Sequence, residues 1–185
     1  MIPLLIILAV ILTFFLLGVT QYNRLVRSRQ MTQEGLSGID VQLKRRADLI
    51  PNLLETVKGY MGHERQVLER VTELRTKSLQ AGSVAEKGQV EGMLTEALRT
   101  LFAVAENYPD LKASQNFSEL QKSLADIEDQ IQLARRYYNG TARNFNILIQ
   151  SFPSNLVANT FHFTPVEYFE IEEAAERAVP KVAFP

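Results

Sequence analysis

The sequence predicts an all-α protein, in which an N-terminal transmembrane helix continues into an antiparallel bundle of about four long helices. Three observations lead to this prediction. Residues 2–20 are uncharged and mostly apolar, apolar residues recur every three or four positions along residues 117–152, and capping and proline signals divide the chain between them. No segment alternates apolar and polar residues as a half-buried strand does.

Composition fits one anchor and one domain. With 185 residues, 46% of them hydrophobic, the chain can bury a core without metal or disulfide support. We therefore predict an anchor at 1–21, a bundle at 22–160 and a C-terminal tail at 161–185. The chain has no cysteine, which excludes disulfides and thiol nucleophiles. A net charge of −1 and the lack of tryptophan give no signal for nucleic acid, so no nucleic-acid partner is expected.

The apolar run at residues 2–20 is about 28 Å long as a helix, which just spans the core of a bilayer. A cleaved signal peptide is the less favoured alternative, because no lysine or arginine precedes the run. Arg24, Arg27 and Arg29 follow it, and the positive-inside rule then places the N-terminus outside and the bundle in the cytoplasm. These three arginines are predicted to meet membrane lipid or another subunit.

The first soluble helix is predicted to end at Ala47–Asp48. Basic residues at 44–46 suit a helix C-terminus, and Asp48 followed by Pro51 suits a cap and a first-turn proline. A kink within one continuous helix is the alternative, because the apolar spacing between Leu43 and Leu53 keeps its phase. The second helix then extends to Gly82.

Two capping boxes mark the later helices. Ser83 and Glu86 are spaced to cap the third helix, which Pro109 ends, and Asn116 with Glu119 is a less typical box at the start of the fourth. That fourth helix has the apolar spacing of a coiled coil and ends before Phe152. Its seam consists of Phe117, Leu120, Leu124, Ile127, Ile131, Ala134, Tyr138, Thr141, Phe145, Leu148 and Phe152.

Several segments resemble the LemA family of bacterial membrane proteins, and the resemblance covers nearly the whole chain. It rests on Tyr22-Asn23, residues 40–53, Gly62-His63-Glu64, residues 134–139, 144–146 and 152–154, and Tyr168-Phe169-Glu170. The resemblance implies a membrane-anchored antiparallel helix bundle at the bacterial inner membrane. It also implies association with a membrane zinc metalloprotease of the heat-shock type, and hence a role in membrane-protein quality control. It implies no defined reaction.

No residue set predicts an enzyme, a cofactor or a metal. His63-Glu64 lacks the second histidine that a zinc helix carries four residues later, where Val67 stands. His162 has no carboxylate or serine at a motif spacing and is predicted to be packed or solvent-facing. The polar residues near apolar stripes are instead predicted to pair helices, with Glu64 accepting a hydrogen bond from Arg46 or from Arg135. This set is Arg46, Glu64, Arg135, Asn139 and Asn144.

Two functions remain open from the sequence. The favoured one is a membrane-anchored scaffold that forms homo-oligomers, because the helices are longer than one small core requires. The alternative is a membrane-anchored sensor, with a small ligand bound among Tyr137, Tyr138, Asn139 and Asn144.

The tail is predicted to pack near the membrane, because the fourth helix of an up-down bundle returns to the bilayer. Its aromatic residues suit headgroups or a subunit contact, and its carboxylates suit the basic residues of a neighbouring subunit. The alternative is that the tail folds back on its own bundle. The aromatic residues are Phe161, Phe163, Tyr168 and Phe169, and the carboxylates are Glu167, Glu170, Glu172, Glu173 and Glu176.

Overall fold

The computed structural model describes residues 2–62 and 64–170, and all regular structure in them is helical. Four longer helices and two short ones follow one another, which confirms the all-α prediction. They are α1 (Ile2–Lys58), α2 (Arg65–Gln80), α3 (Val84–Ala105), α4 (Pro109–Lys112), α5 (Gln115–Gln150) and α6 (Ser154–Thr160).

The described chain packs into two compact units. Residues 2–39 and 133–168 form the first unit, and residues 40–132 with 169–170 form the second. Helices α1 and α5 contribute residues to both units. The predicted anchor, bundle and tail are consecutive segments of the chain, whereas each observed unit combines segments that are distant in sequence.

The N-terminal part of α1 is a candidate membrane span. Among the described helices, α1 alone contains a window apolar and long enough to cross a bilayer, and the rest of the protein buries none of that window. Phe14 is 70% exposed and Leu4 71% exposed. Apolar side chains left this open suit a lipid environment.

The second unit is an antiparallel helical bundle with one large apolar core. Helices α2 and α3 run in opposite directions, because Ser78 near the end of α2 contacts Glu91 in α3 while Tyr108, just after α3, bonds Glu64 before α2. Phe102 and Phe117 meet edge-on, with ring centroids 6.1 Å apart. The fully buried side chains of this core include Ile50, Leu53, Val57, Val71, Leu74, Leu94, Leu101 and Leu111.

The predicted break at Ala47–Asp48 is wrong, since α1 continues through Pro51 to Lys58. Proline has no backbone N–H, so the carbonyl of Ala47, four residues earlier, loses its helical partner. Arg75 of α2 supplies the replacement, because its Nε donates to the Ala47 carbonyl at 3.0 Å. The turn lies further on, between Lys58 and Arg65, where the sequence contains Gly59 and Gly62.

The capping signals were correct at one helix and displaced at another. Ser83 Oγ accepts from the Glu86 amide at 3.1 Å, and the Glu86 carboxylate accepts from the Gly82 amide at 2.9 Å. Helix α5 begins at Gln115, and Ser114 rather than Asn116 precedes it, with its Oγ 3.5 Å from the Phe117 amide nitrogen.

The first unit pairs α1 with α5 in antiparallel directions and adds α6 and the following extended segment. Its core contains Leu25, Phe145, Ile149 and Ala158, with Phe163 and Val166 of the tail packed against it. Along the predicted seam, Ile131, Tyr138 and Phe145 are at most 2% exposed. Phe152 lies beyond the end of α5 and is 79% exposed.

The described part of the tail folds back on its own helices. Phe163 and Val166 join the core of the first unit, and Phe169 is buried in the second unit with 1% of its surface exposed. This arrangement matches the alternative prediction for residues 161–170. Glu172, Glu173 and Glu176, which were predicted to meet a neighbouring subunit, lie outside the described residues.

Candidate functional site

A buried charged network holds four elements of the second unit together. Arg46 of α1 donates through Nη1 to Glu128 of α5 at 2.7 Å and through Nη2 to Thr95 of α3 at 2.8 Å. Its Nη1 also lies 3.6 Å from Oε2 of Glu91, and Ser78 of α2 donates to the same carboxylate. Arg46 is 2% exposed and Glu91 1% exposed, so these two charges are shielded from water, whereas Glu128 is half-buried.

Burial raises the pKa of the Glu91 carboxyl, because removing a carboxylate from water disfavours its charged form. The Arg46 guanidinium and the Ser78 hydroxyl oppose this shift in the pKa. Among the described residues, Oε2 of Glu91 has no hydrogen-bond donor, since 3.6 Å to Arg46 is an ion contact only. The network therefore links four helices and contains a carboxyl that ionises at a cost.

In the first unit, three hydrogen bonds hold the extended tail on α5. The Asn146 amide donates to the Val166 carbonyl and accepts from the Val166 amide, both at 2.9 Å. The Tyr138 hydroxyl donates to the Glu167 carbonyl at 2.7 Å. Burial, with the negative charge of Glu167 as a smaller contribution, raises the pKa of Tyr138, so the phenol stays a donor at neutral pH. We call Asn146, Tyr138 and their tail partners the tail clamp.

A cavity of about 190 Å³ lies beside the tail clamp. Helix α1 contributes Arg29, Thr32 and Gln33 to its lining, and the tail contributes His162 and Thr164. Tyr138, Phe145 and Phe163 add aromatic walls. The combination of an apolar wall with a few polar groups is typical of a small-ligand site.

The same α1–α5 pair has an exposed apolar surface around Gly35. A Cβ at Gly35 would lie 3.1 Å from Tyr138 Cα and 3.3 Å from Cδ1 of Tyr137, so glycine permits this close helix contact. Three apolar side chains on these two helices stay open, with Met31 41%, Tyr137 47% and Leu133 51% exposed. Gly38 follows one helical turn after Gly35, and a Cβ there would meet no atom within 4 Å. We call Met31, Gly35, Gly38, Leu133 and Tyr137 the Gly35 face.

Comparison with known proteins identifies the family. A sequence profile described as the LemA family matches residues 35–184. The chain belongs to the LemA family.

Relatives of this chain come from several bacteria. Protein LemA of Metamycoplasma hominis is 30% identical over 165 residues, covering 86% of this chain and 74% of the relative. Magnetosome protein MamQ 2 of Paramagnetospirillum magneticum is 25% identical over 185 residues, covering 86% of this chain and 68% of the relative. Magnetosome protein MamQ of Magnetospirillum gryphiswaldense is 24% identical with the same coverage. The structure and the family together describe a membrane-associated helical protein.

The residues predicted for lipid or subunit contact in the LemA chain lie in different environments. Arg24, Arg27 and Arg29 are exposed on α1. Phe161 is 57% exposed, and its ring centroid lies 4.7 Å from that of Tyr22. Tyr168 is 41% exposed, whereas Phe163 is half-buried and Phe169 is buried. Only part of the aromatic set therefore remains available to another molecule.

The predicted polar partners need one correction. Arg46 does not bond Glu64 but contacts Glu91 and Glu128, and Glu64 accepts from the Tyr108 hydroxyl at 3.4 Å. The other predicted pairing residues are half-buried at Arg135 and Asn139 and exposed at Asn144. His63, the other half of the disfavoured zinc motif, lies outside the described residues.

The sequence argument missed the residues that complete both sites. Glu91 lies among apolar neighbours on α3, and a charge on an apolar face is the signal that could have found it. Asn146 belongs to the Asn144-Phe145-Asn146 segment, but the apolar spacing did not distinguish it from the exposed Asn144. Of the four residues predicted to bind a sensor ligand, only Tyr138 lines the cavity.

Proposed function

We propose that this LemA protein is a membrane-anchored scaffold that self-associates through the Gly35 face. The observation that carries the proposal is the combination of three half-open apolar side chains with Gly38, whose surroundings are empty. Exposed apolar clusters of this kind mark protein contacts more often than single exposed residues do. The chemistry expected of the protein is assembly, and no reaction is assigned.

Gly38 strengthens the argument, because within the part of the chain that the structure describes no atom lies within 4 Å of a Cβ built there. Glycine within a helix costs about 1 kcal/mol relative to alanine. At Gly35 the close contact with Tyr137 and Tyr138 offsets this cost, but at Gly38 a methyl group would fit freely. A second copy whose backbone approaches α1 at Gly38 gives the glycine a function.

Anchoring in one membrane favours pairing between identical faces. Copies inserted with the same orientation carry the Gly35 face at the same height above the bilayer, which suits a two-fold contact between identical surfaces. It also raises the local concentration of the face, so a small apolar contact is sufficient for association.

Mass measurement on the detergent-extracted protein tests the proposal. The wild-type particle is expected to contain two or more protomers of 21.0 kDa, after correction for bound detergent. Leu133→Glu should reduce it to one protomer, because a carboxylate in an apolar contact is costly to desolvate. Leu79→Glu is the matched control, since Leu79 is 50% exposed on α2 and Leu133 is 51% exposed on α5. Equal masses for both variants and the wild type would rule out the Gly35 face.

Cross-linking locates the contact directly. The natural chain has no cysteine, so Gly38→Cys introduces a single thiol that two copies can join by oxidation when their α1 helices meet. Gly82→Cys is the control, because it is also surrounded by open space but lies outside the Gly35 face.

The other outcome is that the wild-type protein is a single protomer by itself and forms a complex with a membrane metalloprotease. If Leu133→Glu then prevents that complex, the Gly35 face binds the metalloprotease and not a second copy.

We also propose that the helical units face the cytoplasm of a bacterial inner membrane, with the N-terminus outside. Arg24, Arg27 and Arg29 beside the candidate span support this orientation. A single cysteine at the exposed Ser151 should react with a membrane-impermeant maleimide only after the cells are permeabilised. Reaction in intact cells would reverse the orientation.

A further inference from the structure

The cavity beside the tail clamp contains hydrogen-bond donors that the fold does not use. Arg29 and Gln33 of α1 line it from one side, and His162 and Thr164 line it from the tail. Within the described part of the chain, none of these four side chains forms a hydrogen bond or an ion pair. Thr32 also lines the cavity, but its hydroxyl already donates within α1.

The charge of the cavity favours an anion. Arg29 is positive at every pH relevant to a cell. None of the described residues that line the cavity is acidic, although the charge of Glu167 reaches Tyr138 in its wall. Guanidinium, amide, imidazole and hydroxyl groups are all donors, and together they match the oxygens of an oxyanion.

His162 is held in an uncommon backbone conformation at this cavity. Its φ of 55° lies in the left-handed region, which few residues with side chains adopt. This conformation closes the C-terminal cap of α6, in which the His162 amide donates to the Asn159 carbonyl, and it fixes where the His162 side chain leaves the backbone. Here the backbone around His162 is fixed between α6 and the tail, because the Phe163 amide donates to the Ala158 carbonyl at 2.9 Å.

We infer that this cavity binds a phosphate group through Arg29, Gln33, His162 and Thr164. A volume of about 190 Å³ accommodates a phosphate group. The ligand would bridge α1 and the tail and thereby reinforce the tail clamp. This inference does not depend on the Gly35 face.

A phosphate group could come from a soluble molecule or from a phospholipid headgroup, and the distance of the cavity from the membrane favours one of them. Thr32 follows residue 20 by twelve positions, a rise of roughly 18 Å along α1. The headgroup layer adds only roughly 5–8 Å to each side of the bilayer core. A soluble phosphate or phosphate ester therefore reaches the cavity more readily than a phospholipid headgroup does.

Thermal unfolding of the full-length protein in phosphatidylcholine nanodiscs tests the inference. Inorganic phosphate should raise Tm relative to chloride at equal ionic strength, because a ligand that binds the folded state stabilises it. Arg29→Gln should weaken phosphate binding at least about tenfold, since an ionic hydrogen bond is lost. Arg27→Gln is the control, because Arg27 is exposed on the same helix but does not line the cavity.

A second variant and a second membrane complete the test. Thr164→Val preserves the shape of the side chain and should also weaken binding, with an unchanged helical signal. Nanodiscs that contain phosphatidylglycerol, without added phosphate, test the headgroup: an Arg29-dependent rise in Tm there identifies the lipid as the source. Equal effects of Arg27→Gln and Arg29→Gln, or no rise in Tm with either phosphate source, would overturn the inference.

Discussion

At the residue scale, the most demanding feature is a buried arginine shared between two carboxylates. Arg46 contacts Glu91 and Glu128, which are 45 and 82 positions away in the chain. The sequence predicted that Arg46 pairs with another helix, but local spacing cannot show which carboxylate a helix brings close. Removing one partner leaves the other charge buried without compensation. The loss of stability is therefore larger than the net contribution of the ion pairs to stability.

We predict that Glu91→Gln weakens the pH dependence of stability. Burial raises the pKa of Glu91 in the folded state above its unfolded value, so the folded state binds a proton more tightly. Its contribution to the free energy of unfolding is therefore greatest below the unfolded pKa and falls as the pH rises through the folded pKa. Denaturant unfolding from pH 4 to pH 8 should show this decrease for the wild type and a flatter profile for Glu91→Gln. Parallel profiles for the two proteins would exclude Glu91 as the cause.

At the element scale, α1 shows where local rules stop being sufficient. Pro51 and Asp48 locally favour a helix break, and the prediction followed them. The donor that permits a continuous helix is Arg75, 28 positions beyond Ala47, and no local pattern indicates that contact. By contrast, the Ser83 cap was predicted correctly, because its partners lie within three residues. Local sequence thus predicts which segments are helical, but it did not predict that α1 and α2 connect around Gly59–Gly62.

We expect Arg75→Met to destabilise the second unit by about 1.5–3 kcal/mol, because the Ala47 carbonyl loses a charged donor and has no helical one. Arg70→Met is the control on the same helix, since Arg70 is exposed and pairs with the exposed Glu73. Its cost should stay below about 1 kcal/mol. Urea unfolding compares the two variants, and equal costs would mean that Arg75 does not stabilise the helix around Pro51.

Helix α3 contacts the tail too closely for a side chain at Gly88. A Cβ there would overlap the carbonyl oxygen of Glu170, so Gly88→Ala must displace the backbone of one segment. Overpacking of this kind costs about 1–3 kcal/mol. Gly82→Ala is the control, since no atom lies within 4 Å of a Cβ there. Thermal unfolding should show a lower Tm only for Gly88→Ala; an unchanged Tm would place the tail elsewhere.

The predicted seam of α5 has a direct test at Ile131, which is 1% exposed. Ile131→Asp introduces a carboxylate into an apolar position, and its desolvation costs several kcal/mol, a large share of the stability of a domain. We expect loss of cooperative unfolding in calorimetry. Leu79→Asp, at a position that is 50% exposed, should unfold like the wild type.

At the scale of the whole molecule, the tail changes the interpretation of a truncation. If the tail mainly contacts a neighbouring subunit, as the sequence favours, removal of residues 161–185 reduces the size of the assembly and leaves the bundle intact. In the structure, Phe163 and Val166 pack against the core of the first unit, and Asn146 and Tyr138 bond the tail backbone. Sequence composition identified aromatic residues that need a partner, but it could not decide between a neighbouring subunit and the chain itself.

We therefore predict that truncation after Thr160 lowers Tm, because it exposes the core of the first unit and leaves the Asn146 amide and Tyr138 hydroxyl without their backbone partners. Each lost hydrogen bond contributes about 0.5–1.5 kcal/mol net and each lost buried apolar side chain about 1.5–3 kcal/mol, so the combined loss should be several kcal/mol. Truncation after Glu170 is the matched comparison, since it retains every one of these contacts and removes only residues 171–185. The opposite outcome is that both truncated proteins have the same Tm but truncation after Thr160 reduces the mass of the extracted particle. Residues 161–170 would then belong to the contact between subunits.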